Sequence, residues 1–188
     1  MKHMHVIKPA GALFIIAALT TVLLSLAYTL TLEPIEQKTR AMQEKTMKEI
    51  LTLADDFKEI PAEISGSMVR VFEGTAKGET IGYIIELAPE GYSGAISMMV
   101  GVSTEEGEDA LAGMRVLKHT ETPGLGALAV KESFYKQYDN KRLTPLKVVK
   151  FASAHDEIDS ITSSTITTKA ITDAVNEAIE WYNGGSWR

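Results

Sequence analysis

The strongest constraint on this chain is Ala10 to Leu32, 23 consecutive residues without a charge that include Leu13, Phe14, Ile15, Ile16, Leu19, Val22, Leu23, Leu24, Leu26 and Leu30. Wound as a helix, the stretch is about 35 Å long, enough to cross the hydrocarbon of a bilayer with some tilt. It reads as a membrane span. Lys2 and Lys8 precede it, and Glu33 and Glu36 are the first charges beyond it. The positive-inside rule therefore predicts a single pass through the cytoplasmic (inner) membrane, with the N-terminus inside and the body on the extracytoplasmic, periplasmic side. The competing reading is a cleavable signal peptide, for which Ser25-Leu26-Ala27 is a small-x-small site. Apolar residues continue to Leu32, which favours a retained anchor. The expected organisation is a cytoplasmic tail over 1–9, a transmembrane helix over 10–32, a juxtamembrane helix and linker over 33–60, and a folded domain over 61–188.

The absence of cysteine removes disulfides, thiolate zinc sites, c-type haem attachment and cysteine-ligated iron–sulfur clusters together. His3 and His5 lie in the N-terminal tail, so His119 and His155 are too few for a histidine-rich metal site, and no metal is expected. Redox chemistry in such a chain needs an organic cofactor. Beyond Leu32 the chain carries 17 Lys and Arg against 25 Asp and Glu. An acidic body argues against nucleic acid as a partner.

After the span, Pro34 suits the first turn of a new helix, and Met47, Ile50, Leu51, Ala54 and Phe57 form an apolar stripe opposite Lys45, Lys48 and Glu49; Pro61 ends the region. Strand signals follow at Met68 to Phe72, Thr80 to Leu87, Ala95 to Ser103, Leu111 to Lys118 and Leu146 to Phe151. They are divided by turn-like Glu73 to Gly78, Pro89-Glu90-Gly91 and Glu105 to Asp109. Connections this short favour antiparallel pairing. Leu125 to Tyr138 reads as a helix with Leu128, Phe134, Tyr135 and Tyr138 inward, and Asp139 to Arg142 as a solvated turn. The fold class is α+β, a twisted antiparallel sheet flanked by helices.

Near the C-terminus, seven of the ten residues from Asp159 to Thr168 carry hydroxyls, and an amphipathic helix follows with Ile171, Ala174, Val175, Ala178, Ile179 and Tyr182 on one face. At a helix N-terminus the first N–H groups lack intrahelical partners and the macrodipole is positive, so the cluster suits either an N-cap or a phosphate. Two loops, Glu90-Gly91-Tyr92-Ser93-Gly94 and His119 to Gly126, gather glycines with polar and apolar side chains at strand ends, suiting a turn or a close approach to a planar ligand. His119 and Glu121, at i and i+2, are an acid–base pair in outline, but no nucleophile or orienting group accompanies them, and structural hydrogen bonding is the expected role.

Together these stretches resemble the FMN-binding G subunit of Rnf-type electron transport complexes, related to the C subunit of the sodium-pumping NADH:quinone oxidoreductase. The similarity runs through the N-terminal span, Gly91-Tyr92-Ser93-Gly94-Ala95-Ile96, Val100-Gly101-Val102, the run from Val116 to Gly126, and the hydroxyl cluster. In that family a threonine in a Ser-Gly-Ala-Thr-x-Thr signature carries FMN through a phosphoester bond, installed by a flavin transferase that uses FAD. The matching residues here, Thr162 to Thr167, make Thr167 the expected attachment point, with Thr165 and Thr168 as alternatives and Asp159 fitting the transferase's recognition pattern. Ser163 and Ser164 stand where the signature has Gly-Ala, which leaves the backbone less free to adopt positive φ. The resemblance further implies that Gly91, Tyr92 and Ser93, with Thr122, Pro123, Gly124 and Leu125, pack along the flavin ring and ribityl chain, and that Lys150 stabilises negative charge on the ring. It implies a membrane-anchored flavoprotein passing electrons one at a time within a ferredoxin:NAD oxidoreductase coupled to Na⁺ or H⁺ translocation. No substrate site of its own is expected, and its partners are other Rnf membrane and redox subunits.

Two rival readings belong to other classes. One is a membrane-tethered binding or assembly module of the same fold without flavin, in which Thr167 is an ordinary cap. The other is a hydrolase built on His119 and Glu121.

Overall fold

A computed structural model describes residues 4–104 and 109–185, with the side chains of 4–8 and 30–37 outside that description. The turn expected at Glu105 to Asp109 falls largely outside the described residues. The chain divides into two units, 1–42 and 43–188.

The first unit is helical. Helix α1 runs from Met4 to Ile50 and thus continues into the second unit. Its segment Pro9–Thr29 is long and apolar enough to cross a membrane. Every side chain from 9 to 29 is exposed, Phe14 and Leu24 by more than two thirds, as lipid-facing groups require. No new helix begins at Pro34. The helix passes through it, at the cost of the i→i−4 hydrogen bond that proline cannot donate.

The second unit is built on an antiparallel sheet of six strands in sequential order: β1 (Asp56–Ile60), β2 (Met68–Ala76), β3 (Glu79–Leu87), β4 (Ser97–Ser103), β5 (Ala110–Lys118) and β6 (Lys141–Arg142). The central strands read as unbroken apolar runs because both faces of the sheet are covered. Period-2 alternation sends Tyr83, Ile85, Leu87, Met98, Val100 and Val102 to one face, and a register shift in β5 between Leu111 and Gly113 keeps both Leu111 and Met114 there; together they meet the C-terminal helix α3 (Thr165–Asn183) through Ile171, Val175, Ala178 and Ile179. The alternate residues Phe72, Ile84 and Met99 go to the other face, under Met47, Ile50, Leu51 and Ala54 at the end of α1. Burying a side chain of this size contributes about 1.5–3 kcal/mol each, and the two clusters hold the sheet between them.

Between β5 and β6 the expected continuous helix is a succession of short pieces: a 3-10 helix at Gly126–Val130, the four-residue α2 (Glu132–Tyr135), and a 3-10 helix at Lys136–Tyr138. Phe134 and Tyr138 point inward as expected. The segment after Phe57 differs from expectation more sharply. Residues 56–60 are not helical but form edge strand β1, since all five residues pair with β2. The last expected strand leaves the sheet altogether. Its core, β7 (Lys147–Val149), pairs in parallel with β8 (Glu157–Asp159) as a separate ribbon. The seven residues between them suffice for a parallel connection because Glu157 Oε2 accepts from the backbone N–H groups of Ser153 and Ala154, and Asp159 Oδ1 from that of Ala152, curling the loop back on itself. Asn176 ties this ribbon to α3 through both polar groups of Leu146.

Asp139 to Arg142 is not a purely solvated turn. Asp139 pairs with Arg115 at 3.5 Å, and β6 extends the sheet beyond it.

Candidate functional site

Two glycine-bearing loops and the start of α3 converge on one cavity of about 440 Å³, lined by Tyr92, Glu121, Thr122, Leu125, Gly126 and the Ser163–Thr167 segment. Its size falls within the range of small-molecule sites, about 300–1,000 Å³.

The loops are shaped by their sequence. In the first, Gly91 donates to Gly94 O at 3.0 Å and Ile96 to Pro89 O at 2.9 Å, closing a tight excursion at the head of β4. In the second, Thr122-Pro123-Gly124-Leu125 closes through a bond from Leu125 N to Thr122 O, with Gly124 at φ +78°, the proline-then-glycine pattern of a type II turn. Thr120 Oγ1 donates to Ser93 O at 3.1 Å, joining the two loops.

The third wall is the α3 N-terminus. Ser164 is its N-cap residue, yet its side chain makes no capping bond, so the first turn presents backbone N–H groups that no hydroxyl caps. Ser163 adopts φ +61°, a left-handed conformation that glycine takes without steric cost and serine does not. The turn holds this conformation without glycine, at a cost of about 1–2 kcal/mol.

The hydroxyls separate by role. Thr168 is fully buried; its Oγ1 donates to Ser164 O and accepts from Ile161 N, each at 3.0 Å, so it serves as an internal clasp of the turn. Thr165 is exposed, its Oγ1 accepting from Ser160 Oγ at 3.3 Å. Thr167, 1% exposed, donates from Oγ1 to Glu121 Oε2 at 2.6 Å. The other oxygen of Glu121 accepts from Ser93 N at 2.9 Å. This carboxylate is 5% exposed and forms no ion pair among the described residues. It is closed in by two glycines: a Cβ on Gly91 would lie 2.5 Å from Oε1, and one on Gly126 2.2 Å from Oε2 and 2.8 Å from Thr167 Oγ1.

Of the residues expected from sequence, Tyr92, Thr122, Leu125, Thr165 and Thr167 line the cavity. Gly91 and Ser93 back the Glu121 carboxylate, while Pro123 and Gly124 shape the turn. Lys150 stands apart from them. It lines a neighbouring cavity of about 400 Å³ with Phe151, Thr162, Ser163 and Thr165, across the 160–165 turn, and its Nζ lies 5.6 Å from the Phe151 ring centre. His119 and Glu121 do not form an acid–base dyad: His119 Nδ1 accepts from the backbone N–H of Glu121, whose carboxylate turns to Ser93 and Thr167. Sequence reasoning missed Ile166 as a lining residue and Glu121 as the partner of Thr167. The available signal was an acid inside the second glycine-bearing loop, two residues after His119 and five before Gly126.

The residues present suit FMN. Uncapped helix N–H groups and surrounding hydroxyls fit a phosphate, while Tyr92, Leu125 and Ile166, exposed by 71%, 40% and 59%, offer apolar surface that a planar ring would cover.

Residues 1–50 match the family described as the RnfG N-terminal region, and residues 91–180 the family described as an FMN-binding domain. Among similar proteins, the G subunit of the proton-translocating ferredoxin:NAD(+) oxidoreductase complex of Clostridium ljungdahlii is 34% identical over 160 residues, covering 85% of this chain and 82% of that protein. The G subunit of the Na(+)-translocating ferredoxin:NAD(+) oxidoreductase complex of Acetobacterium woodii is 32% identical over 193 residues, covering 94% and 91%. Among solved structures, the C subunit of the Na(+)-translocating NADH-quinone reductase of Parabacteroides distasonis superimposes with a TM-score of 0.54 at 21% identity, over 74% of this chain and 81% of that one. NqrC of Shewanella oneidensis gives 0.52 at 18%, over 68% and 66%. These two share the fold.

Proposed function

The chain belongs to the RnfG family, the G subunits of Rnf-type ion-translocating oxidoreductase complexes, and from that premise we propose that it carries FMN as a phosphoester on Thr167. It is a membrane-anchored, FMN-binding subunit of a ferredoxin:NAD oxidoreductase complex coupled to ion translocation, with other Rnf subunits as partners. Bound FMN supplies the redox chemistry, accepting electrons and handing them on; the protein supplies attachment, shielding and charge.

The observation that carries the assignment to Thr167 is its place at the cavity wall with its hydroxyl held by a carboxylate, while Thr168 is fully engaged in the turn and Thr165, also at the wall, meets the Ser160 hydroxyl instead of a carboxylate. An ester there puts the remaining phosphate charge at the N-terminus of a 19-residue helix, where oriented N–H groups favour an anion. Thr122, Ser163, Ser164 and Thr165 add hydroxyls around that position. Tyr92, Leu125 and Ile166 exclude water from the ring. Lys150, across the 160–165 turn, contributes positive charge at longer range.

A flavin transferase would install the ester with FAD as donor, and the charges flanking the span favour an N-terminus inside and a periplasmic flavin domain. In cells producing that transferase, the denatured wild-type protein fluoresces as a flavoprotein in a gel, and Thr167→Ala does not, whereas Thr165→Ala does. A covalent flavin retained in Thr167→Ala would sink the attachment site. Protease added outside intact spheroplasts removes the labelled domain; full protection would reverse the orientation.

A further inference from the structure

Glu121 is a carboxylate in an unusual setting. It is buried, without a cation, and clamped from four sides: by the Ser93 N–H, the Thr167 hydroxyl, and the α-carbons of Gly91 and Gly126, neither of which has room for a methyl group. A structural hydrogen bond to Thr167 needs no charge; a hydroxyl or amide would serve. The titratable groups nearest in sequence to the residues that clamp it are Glu90 and Tyr92 in the first loop, His119 on its own segment, and Lys169 and Asp173 in the first half of α3, whose second half adds Glu177, Glu180 and Tyr182; none forms an ion pair with it among the described residues.

We infer that Glu121 takes the hydroxyl proton of Thr167 when that hydroxyl is esterified, so that the acceptor domain carries its own general base, and that it then keeps this proton as a hydrogen-bond donor to the ester phosphate. The inference rests on the phosphoester reading above. A threonine hydroxyl is a weak nucleophile until a base within hydrogen-bond reach accepts its proton, and 2.6 Å from Oγ1 to Oε2 is inside that reach. In the step, the Thr167 Oγ1–P bond forms and a phosphoanhydride bond of the flavin dinucleotide breaks. AMP leaves with the electron pair of that bond, and the Oγ1 proton passes to Glu121 Oε2; nothing is oxidised or reduced. The product sets a phosphodiester anion against a carboxylate that has no cation. Two such charges disfavour each other's ionised forms, and the transferred proton turns the repulsion into a hydrogen bond.

The test uses the full-length protein in detergent with purified flavin transferase, FAD and Mg²⁺, following label on Thr167 by gel fluorescence and peptide mass analysis at neutral pH. Glu121→Gln, which keeps the shape, is expected to label about 100-fold more slowly than wild type, or worse. In Glu121→Ala, added formate restores labelling in the space the side chain vacates. Labelling of Glu121→Gln within about threefold of wild type would overturn the base. So would a failure of formate in a Glu121→Ala protein that melts with wild type. A check needing no variant is infrared difference spectroscopy on ¹³C-glutamate protein: flavin attachment adds one protonated-carboxyl band that shifts with the isotope, and its absence overturns retention of the proton. If wild type labels elsewhere or not at all, the phosphoester reading fails together with this one. If it labels at Thr167 and the variants are indifferent, only the base is lost.

Discussion

Thr167 and Glu121 lie 46 residues apart in sequence and are joined by a 2.6 Å hydrogen bond, so the helix that begins the last element of the fold is keyed to the loop that follows β5. The pair depends on a third residue. Gly126 lies against both side chains, and a Cβ there would meet Glu121 Oε2 at 2.2 Å, Glu121 Cβ at 2.9 Å and Thr167 Oγ1 at 2.8 Å. Gly126→Ala is therefore expected to destabilise the protein by about 1–3 kcal/mol and to lower flavin incorporation at least tenfold, because the carboxylate must leave its position. Thermal melts and gel fluorescence of the same preparations check this. A variant that melts and labels like wild type would mean that the two side chains have slack that the structure does not show.

The turn before α3 gives an opposite expectation. Ser163 holds φ +61°, a conformation glycine adopts without steric cost, and its side chain is exposed. Ser163→Gly is expected to stabilise by about 0.5–1 kcal/mol, the left-handed strain relieved less the extra freedom glycine has when unfolded. Denaturant midpoints at unchanged slope measure it. A loss of stability would show that the serine hydroxyl contributes more than its backbone costs.

This position also marks how far the sequence could be read. That Ser163 replaces the usual glycine was visible, but the conformation it takes is imposed from outside, by Thr168 clasping Ile161 and Ser164. The apolar helical segment, Pro9–Thr29 in the structure, and the four central strands were legible as apolar runs, the strands because both faces of the sheet are buried, and the inward face of α3 was legible because it repeats the helical period over many residues. Phe57 misled because it continues the apolar stripe of Met47, Ile50 and Ala54 at helical spacing. It packs in that cluster regardless, but from a strand, since pairing with β2 satisfies the backbone of 56–60. The three-residue strands β7 and β8 were beyond reach for a different reason. Their parallel pairing depends on Glu157 and Asp159 folding the intervening loop, a long-range choice with no periodic trace. Within the site, every loop was identified, whereas the bond between Glu121 and Thr167 was not, because its partners come from separate elements that only the folded sheet brings together.

The final expectation concerns alkaline stability. Tyr138 is fully buried, and its hydroxyl shares a 2.7 Å hydrogen bond with Thr172 Oγ1, which itself donates to Thr168 O at 2.9 Å. Burial pushes the Tyr138 phenol well above its ordinary range, only partly opposed by the bond to Thr172. The folded state thus holds the proton more tightly than the unfolded chain, whose tyrosines ionise near pH 10. The stability linked to this group is fully present below about pH 10 and is lost as pH rises from there through the higher folded value, at up to about 1.4 kcal/mol per pH unit. Tyr138→Phe keeps the ring and removes both the hydrogen bond and the titration. It is expected to cost about 1 kcal/mol at pH 7, and its stability is expected to fall less steeply than that of wild type above pH 10, so the two curves converge. Tyr83, also raised by burial first and by Glu73 second, leaves a residual slope in the variant. Chemical denaturation from pH 7 to 11.5 reads the difference directly; parallel curves across that range would mean that Tyr138 ionises only after the domain has already opened.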